Sequence, residues 1–293
     1  MTKPFFETEL GKLYLGDCEK LLSDFIVSNQ PKADLIFTSP PFPLNRKKKY
    51  GNMTGEEYLN WISSLAPLLS QMLSDTGSIV IEIGNAWEKG CPVHSTLPLE
   101  TLLEFKKSAN MFLCQEFIYY NPSALPAPIE WVNKRRIRVK DSFTRLWWLS
   151  KTSEPKADNR NVLLPYSKQM EKLLKSKQYN YGKRPSQHVI GKNTFTVNNG
   201  GSIPGNVLIS SNTRAKDGYL SYCKTNNLEI HPARMSRDIP EFFIRFLTQE
   251  GDLVLDPFAG SNMTGFVAES LNRKWIGIEV NKEYAEGSKG RFI

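Results

Sequence analysis

The chain has 293 residues, 40% hydrophobic and 23% charged, a balance that supports a full apolar core and excludes disordered classes. Its formal charge is +8, with 38 Lys and Arg against 30 Asp and Glu, so a polyanionic partner is the first expectation. No stretch is long and apolar enough for a membrane span, and MTKPFFETELGK lacks a signal-type apolar region; four scattered cysteines and three histidines suggest no metal cluster. A cytoplasmic protein with reduced thiols is expected.

In chain order, a short strand over 12–15 leads to Gly16-Asp17-Cys18, and 19–27 reads as a helix. Residues 34–37 (DLIF) have no polar face beyond Asp34, which predicts a strand covered on both sides. It ends at Ser39-Pro40-Pro41-Phe42, where two prolines forbid continuation and leave carbonyls without ladder partners. Four consecutive cations follow, Arg46, Lys47, Lys48 and Lys49. A helix is then predicted over 55–73, a buried strand over 78–83 (SIVIEI), a helix over 97–109, and strands over 116–120 and 144–149 (TRLWWL). Trp147 and Trp148 sit mid-strand, where core packing is the expectation.

From 153 to 228 the text turns polar, basic and rich in Gly, Asn and Ser, with no sustained period. That length is too great for a loop in a compact domain, so a small irregular inserted module is expected between two parts of one catalytic domain, 1–152 and 229–293. Periodicity returns with a helix over 240–248, a strand over 253–255, a helix over 265–271 and a strand over 275–280. Strands alternating with helices imply an α/β, doubly wound, mostly parallel sheet.

The stretch LVLDPFAGSNMTG, residues 253–265, has the form of a strand-to-helix turn that admits a ligand to the backbone. About twenty residues on, WIGIEV ends a second strand at Glu279, where a carboxylate can accept from two ribose hydroxyls. Neither a phosphate-gripping GK[ST] nor a GxGxxG follows, so a nucleoside without phosphates, such as S-adenosylmethionine, fits better than ATP or NAD.

These stretches, with GKLYLGDCEKLL, TSPPF, NPSALPAPIEWVNKRRIRVKD, RPSQHVIGK, HPARM and RKWIGIEV, make the chain resemble the DNA amino-methyltransferases of the cytosine-N4 group from restriction–modification systems, in the permuted order with the catalytic tip before the cofactor turn. The resemblance implies a seven-stranded Rossmann-like sheet, S-adenosyl-L-methionine as cofactor, duplex DNA as substrate and base flipping. It makes 153–228 a target-recognition module. A cognate restriction endonuclease is implied as a functional counterpart, not a bound one, and a monomer is expected. By the same resemblance Ser39, Pro40, Pro41 and Phe42 match the catalytic motif. Asp256, Phe258, Gly260, Ser261 and Asn262 match the cofactor turn, Glu279 the ribose acid, and Asp17 the acid that meets the adenine amine. Asn262-Met263 departs from the usual Gly-Thr, and asparagine tolerates the positive φ such a turn needs.

The chemistry agrees with these residue types. The exocyclic amine of cytosine is a poor nucleophile because its lone pair is delocalised into the ring. Acceptors such as Ser39 Oγ and the Pro40 carbonyl favour a tetrahedral nitrogen and stabilise the charge that develops. Phe42 is expected to stack on the base. A base in a duplex must flip to reach such a tip, so cations must hold the distorted backbone. The candidates are Arg46 to Lys49, then Lys134, Arg135, Arg136 and Arg138, and Arg184 within the basic stretch 168–192. A C5 mechanism fails for want of a cysteine after proline. An adenine-N6 enzyme and a non-catalytic DNA-binding regulator remain as alternatives.

Overall fold

The computed structural model describes residues 2–43, 53–192, 194–211 and 218–293. It divides into two compact units, Met1–Ala157 with Asn206–Ile293, and Asp158–Gly205. The larger unit opens with β1 (Phe6–Glu7), β2 (Gly11–Leu15), α1 (Cys18–Val27), β3 (Ala33–Thr38), α2 (Gly55–Met72) and β4 (Leu73–Gly84). Next come α3 (Leu97–Ser108), β5 (Phe112–Tyr120) and β6 (Phe143–Ser150). The smaller unit holds α4 (Lys168–Ser176), β7 (Gly182–Lys183) and β8 (Val189–Ile190). The larger unit resumes with β9 (Val207–Ile209), α5 (Gly218–Thr225), α6 (Asp238–Leu247), β10 (Leu253–Asp256), α7 (Met263–Ser270), β11 (Lys274–Glu279) and α8 (Lys282–Ser288).

One sheet runs in the order β1-β2-β11-β10-β3-β4-β6-β5-β9. Strands β2, β11, β10, β3 and β4 are mutually parallel, whereas β6 is antiparallel to both β4 and β5. The alternation of β3 explains the double winding. Ile36 packs with Leu22, Tyr58, Ile62 and Phe105 of α1 to α3, while Leu35 and Phe37 pack with Phe243, Ile244 and Val267 of α6 and α7. Each of these side chains leaves water fully or nearly so, which contributes about 1.5–3 kcal/mol apiece. On α2 the buried positions Tyr58, Ile62, Leu65, Ala66, Leu69 and Met72 recur at helical spacing, so one face meets the sheet. Trp147 and Trp148 are buried on opposite faces of β6, as their mid-strand positions imply.

The sheet has nine strands where seven were expected, and the two additions are short. β1 is a two-residue edge, and β9 is three residues gained by pairing Val207–Ile209 with Ile118–Tyr120. With β9 and α5 drawn into the larger unit, the smaller one is narrower than the irregular text at 153–228. Within it, α4 is capped by Ser167, which accepts from Met170 N at 3.2 Å, and β7 and β8 form a small antiparallel pair. Among the described residues no helix is long and apolar enough to cross a membrane.

Candidate active site

Parallel pairing of β10 with β3 brings the two tips side by side, Val254 opposite Leu35 and Leu255 opposite Ile36. Both open into one cleft of about 720 Å³, lined by Ser39, Pro40, Pro41 and Phe42 on one side and by Asp256, Phe258, Gly260, Ser261 and Glu279 on the other. The carboxyl ends of parallel strands thus form the site, the usual position for a ligand in an open α/β sheet.

Asp256 is buried, and its carboxylate is enclosed by internal donors. Oδ1 accepts from Thr38 Oγ1 at 2.8 Å and from Phe258 N at 3.1 Å, and Oδ2 from Thr264 Oγ1 at 2.7 Å. Thr38 directly precedes Ser39, so this carboxylate ties the two tips together. Burial pushes the Asp256 carboxyl up to about 6, against the pull of these three hydrogen bonds. Glu279 is also held: its Oε2 accepts from Gly260 N at 2.7 Å and its Oε1 from Asn281 N at 2.8 Å, while burial raises its carboxyl above the ordinary range.

Gly260 has φ +52, and a Cβ there would lie 3.1 Å from His231 Nε2, so a side chain would strain the turn and press on the imidazole. Asn262 takes φ 54, the left-handed conformation anticipated for it, and its Oδ1 accepts from Gly265 N at 3.2 Å to start α7. It is fully buried and is not among the residues lining the cleft. Asp17 stands at the end of β2, beside the β11 tip, where it is exposed and accepts from Lys20 N at 3.1 Å as the cap of α1. It too is outside the cleft lining.

One residue the sequence reading passed over stands behind the catalytic motif. Glu82, buried near the end of β4, accepts hydrogen bonds from Thr144 Oγ1 at 2.8 Å and from the Ser39 hydroxyl. Burial raises its carboxyl, and the two hydroxyls oppose that rise. A single carboxylate inside the apolar run SIVIEI was the available signal, because a buried charge without a partner is too costly to keep. Phe42 packs its ring on Gly84, where a Cβ would come within 2.5 Å of Cδ2 and Cε2. Tyr119 and Phe143 line the same cleft, and burial, with the nearby Glu82 and Asp238 carboxylates, pushes the Tyr119 phenol up to about 12.

The lining also suits a nucleoside with an amino-acid tail. It offers the Phe258 ring, the buried Glu279 carboxylate and the His231 imidazole, which burial keeps toward its neutral form. Arg234 is the one Lys or Arg in that lining among the described residues.

The candidate cations are less uniform. Arg46 to Lys49 lie outside the described residues. Lys134 pairs with Glu130 at 3.1 Å, Arg135 and Arg136 are exposed, and Arg138 Nε donates to Pro92 O at 2.9 Å. Arg184 is exposed within the smaller unit, donating to Asn180 O at 2.9 Å.

A family model described as DNA methylase matches residues 33–290. The type II methyltransferase M.PvuII of Proteus hauseri is 46% identical over 99% of this chain and 86% of its own length. M.BglII of Bacillus subtilis is 29% identical over 96% and 69% respectively. The solved structure of the PvuII DNA methyltransferase (cytosine-N4-specific) superposes with a TM-score of 0.78 at 39% identity, covering 100% of this chain and 89% of that one.

Proposed function

We propose, from the premise that this chain belongs to the DNA methylase family, that it transfers a methyl group from S-adenosylmethionine to the exocyclic N4 of cytosine in duplex DNA. The observation that carries the reading is the Ser39 hydroxyl, backed by the buried Glu82 carboxylate, at a proline-stopped tip opening into the same cleft as Asp256 and Glu279. S-adenosylmethionine, when bound, supplies an electrophilic methyl group on a sulfonium. The chain holds and orients what accepts it.

Because the Ser39 proton is directed at Glu82, the lone pairs of Oγ are available to accept from the cytosine amine. The Pro40 carbonyl is the second acceptor, since Pro41 has no N–H to compete for it. Together they draw N4 toward a tetrahedral geometry and stabilise the positive charge that grows on it, with Glu82 acting through the Ser39 hydroxyl. Glu279 and Gly260 receive the ribose side of the nucleoside. Asp256 holds the turn to the catalytic tip and does not itself need to touch a ligand. Asp17, at the neighbouring tip, meets the adenine end. Phe42, whose ring is fixed by Gly84, forms an apolar wall for the flipped base.

Exposed cations at Lys134, Arg135 and Arg136 meet phosphates, and Arg46 to Lys49, directly after the catalytic tip in sequence, belong to the same task. Base-specific readout is assigned to the small unit Asp158–Gly205, including Arg184. The chain acts as a monomer in the cytoplasm, as the modification member of a restriction–modification pair whose endonuclease shares its site without binding it. Its relatives are named type II methyltransferases. The test is transfer of labelled methyl groups to DNA followed by mass analysis of the nucleosides. N4-methylcytosine is expected; N6-methyladenine would select the adenine alternative, and no transfer the regulator.

A further inference from the structure

The segment 121–142 between β5 and β6 forms one wall of the cleft, to which it contributes Asn121, Ala124, Asp141 and Ser142. Its outgoing and returning arms are fastened together. Asn121 N donates to Ser142 O at 2.7 Å and Asp141 N to Ala127 O at 3.2 Å. Lys140 Nζ bridges the carbonyls of Pro122 at 3.1 Å and Ala124 at 2.9 Å. Beneath this clamp the Asp141 carboxylate accepts from Trp87 Nε1, the Trp87 and Trp131 rings meet at 5.1 Å, and Arg138 is tied to Pro92 O.

Such anchoring makes the exposure of two aliphatic side chains informative. Leu125 is 82% exposed and adjoins the cleft-lining Ala124; Val139 is 86% exposed and lies between the tied Arg138 and Lys140, two residues before Asp141. A single exposed apolar residue is ordinary on a protein surface. Here both adjoin the Lys140 clamp, Leu125 next to Ala124 and Val139 next to Lys140, on a segment that lends Ala124 and Asp141 to the cleft and carries the exposed cations Lys134, Arg135 and Arg136. A polyanion drawn to those cations brings its apolar interior, the base stack, to these two side chains.

We propose that Leu125 and Val139 form a wedge that enters the DNA base stack and fills the space left by the flipped cytosine. The wedge rests on the methyltransferase reading above and gives it a device for extruding the base. Lys140 is then a positioning residue, holding the two aliphatic tips at a fixed separation, and its ammonium is not a phosphate contact. Apolar insertion between base steps lowers the cost of unstacking, so its loss should appear in the rate of reaching the flipped state and not in the chemistry that follows.

The test compares Leu125→Ser, Val139→Ser and the double variant on two duplexes containing the site this enzyme methylates, as mapped by sequencing. In one the target cytosine faces guanine; in the other it faces an abasic position, so that it leaves the stack without breaking a base pair. Both side chains stand in solvent, and the thermal midpoint checks that folding is intact. Single-turnover transfer by the double variant should slow by about ten- to a hundredfold on the paired duplex, the range expected when help with unstacking is lost. On the abasic duplex it should stay within about threefold of the unsubstituted protein, because the flipping step it assists is already cheap. A 2-aminopurine placed at the target should lose its enzyme-induced fluorescence in the paired duplex alone. Equal slowing on both duplexes, or none on either, overturns the wedge. Failure of the unsubstituted protein to methylate either duplex overturns instead the methyltransferase reading beneath it.

Discussion

The two strand tips at the cleft are built oppositely, although they are neighbours in one sheet. At the β10 tip the Asp256 carboxylate, although it borders the cleft, is held by Thr38, Thr264 and the Phe258 N–H, which all donate to it. At the β3 tip Ser39 borders the cleft with its proton engaged by Glu82, and no internal donor reaches its oxygen among the described residues. One tip is a scaffold and the other a reactive surface. A side chain at the first should therefore matter to stability, and one at the second to rate, even though Thr38 and Ser39 are consecutive.

The largest break in this comparison comes from Asp256→Ala. It leaves two hydroxyls and one N–H without their acceptor in a buried place, at about 1–3 kcal/mol for each that finds no other partner, so a loss of about 3 kcal/mol or more is expected. Urea unfolding measures it. Asp256→Asn keeps an acceptor for Thr38 and Phe258 and should lose far less. An Ala variant as stable as the parent would deny Asp256 its scaffold role.

A pH measurement sharpens the same point. The folded carboxyl is raised from 3.8 to about 6, so between those values the folded chain holds a proton that the unfolded chain has released. Stability from this group is thus fully present below pH 3.8 and is lost as pH rises through about 6, by roughly 3 kcal/mol in all. Asp256→Asn should flatten that part of the stability profile, so that the variant gains stability relative to the parent as pH rises through about 6. An Asn variant with the same slope from pH 4 to 6 would show that the slope has another origin.

At the reactive tip the expected effect is smaller in energy but visible in rate. A hydrogen bond to a group that becomes charged in the transition state is worth about 1.5–3 kcal/mol, so Ser39→Ala should slow single-turnover transfer by roughly ten- to two-hundredfold. Cofactor affinity should be unchanged. Glu82→Gln should slow transfer in the Ser39 background of the natural chain and do little once Ser39 is alanine, because its contribution passes through that hydroxyl. Additive losses would separate Glu82 from Ser39.

The contrast was only half readable from the sequence. Both tips were legible, because an apolar strand that ends in Ser-Pro-Pro or in Asp followed by small residues leaves a local mark, and parallel pairing was implied by strands that alternate with helices. Which way each side chain turns was not. Asp256 reads as a ligand contact and does border the cleft; what the sequence does not show is that Thr38, 218 positions away, and its own turn also donate to it. Glu82 lay hidden in SIVIEI because its partners Ser39 and Thr144 reach it only through the pairing of β4 with β3 and β6. Strand β9 was missed because three apolar residues have no period of their own and become a strand only by pairing with β5.

The smallest predicted effect concerns Asn262, which joins the scaffold tip to α7. Its left-handed φ of 54 costs an ordinary residue about 1–2 kcal/mol, a cost asparagine carries lightly and glycine escapes. Its Oδ1 caps Gly265 N, while its buried Nδ2 has no hydrogen-bond partner among the described residues. Asn262→Gly therefore loses a cap worth about 1 kcal/mol and also removes an unsatisfied buried amide, two terms of opposite sign and similar size. The net change should be close to zero. Asn262→Ala makes the same two changes and adds the backbone strain, so Ala should be less stable than Gly by about 1–2 kcal/mol. The difference between the two variants, read from unfolding midpoints, isolates the backbone term. Equal stabilities would mean that the turn relaxes out of the left-handed region when the side chain is lost, and the scaffold tip would then be softer than its hydrogen bonds imply.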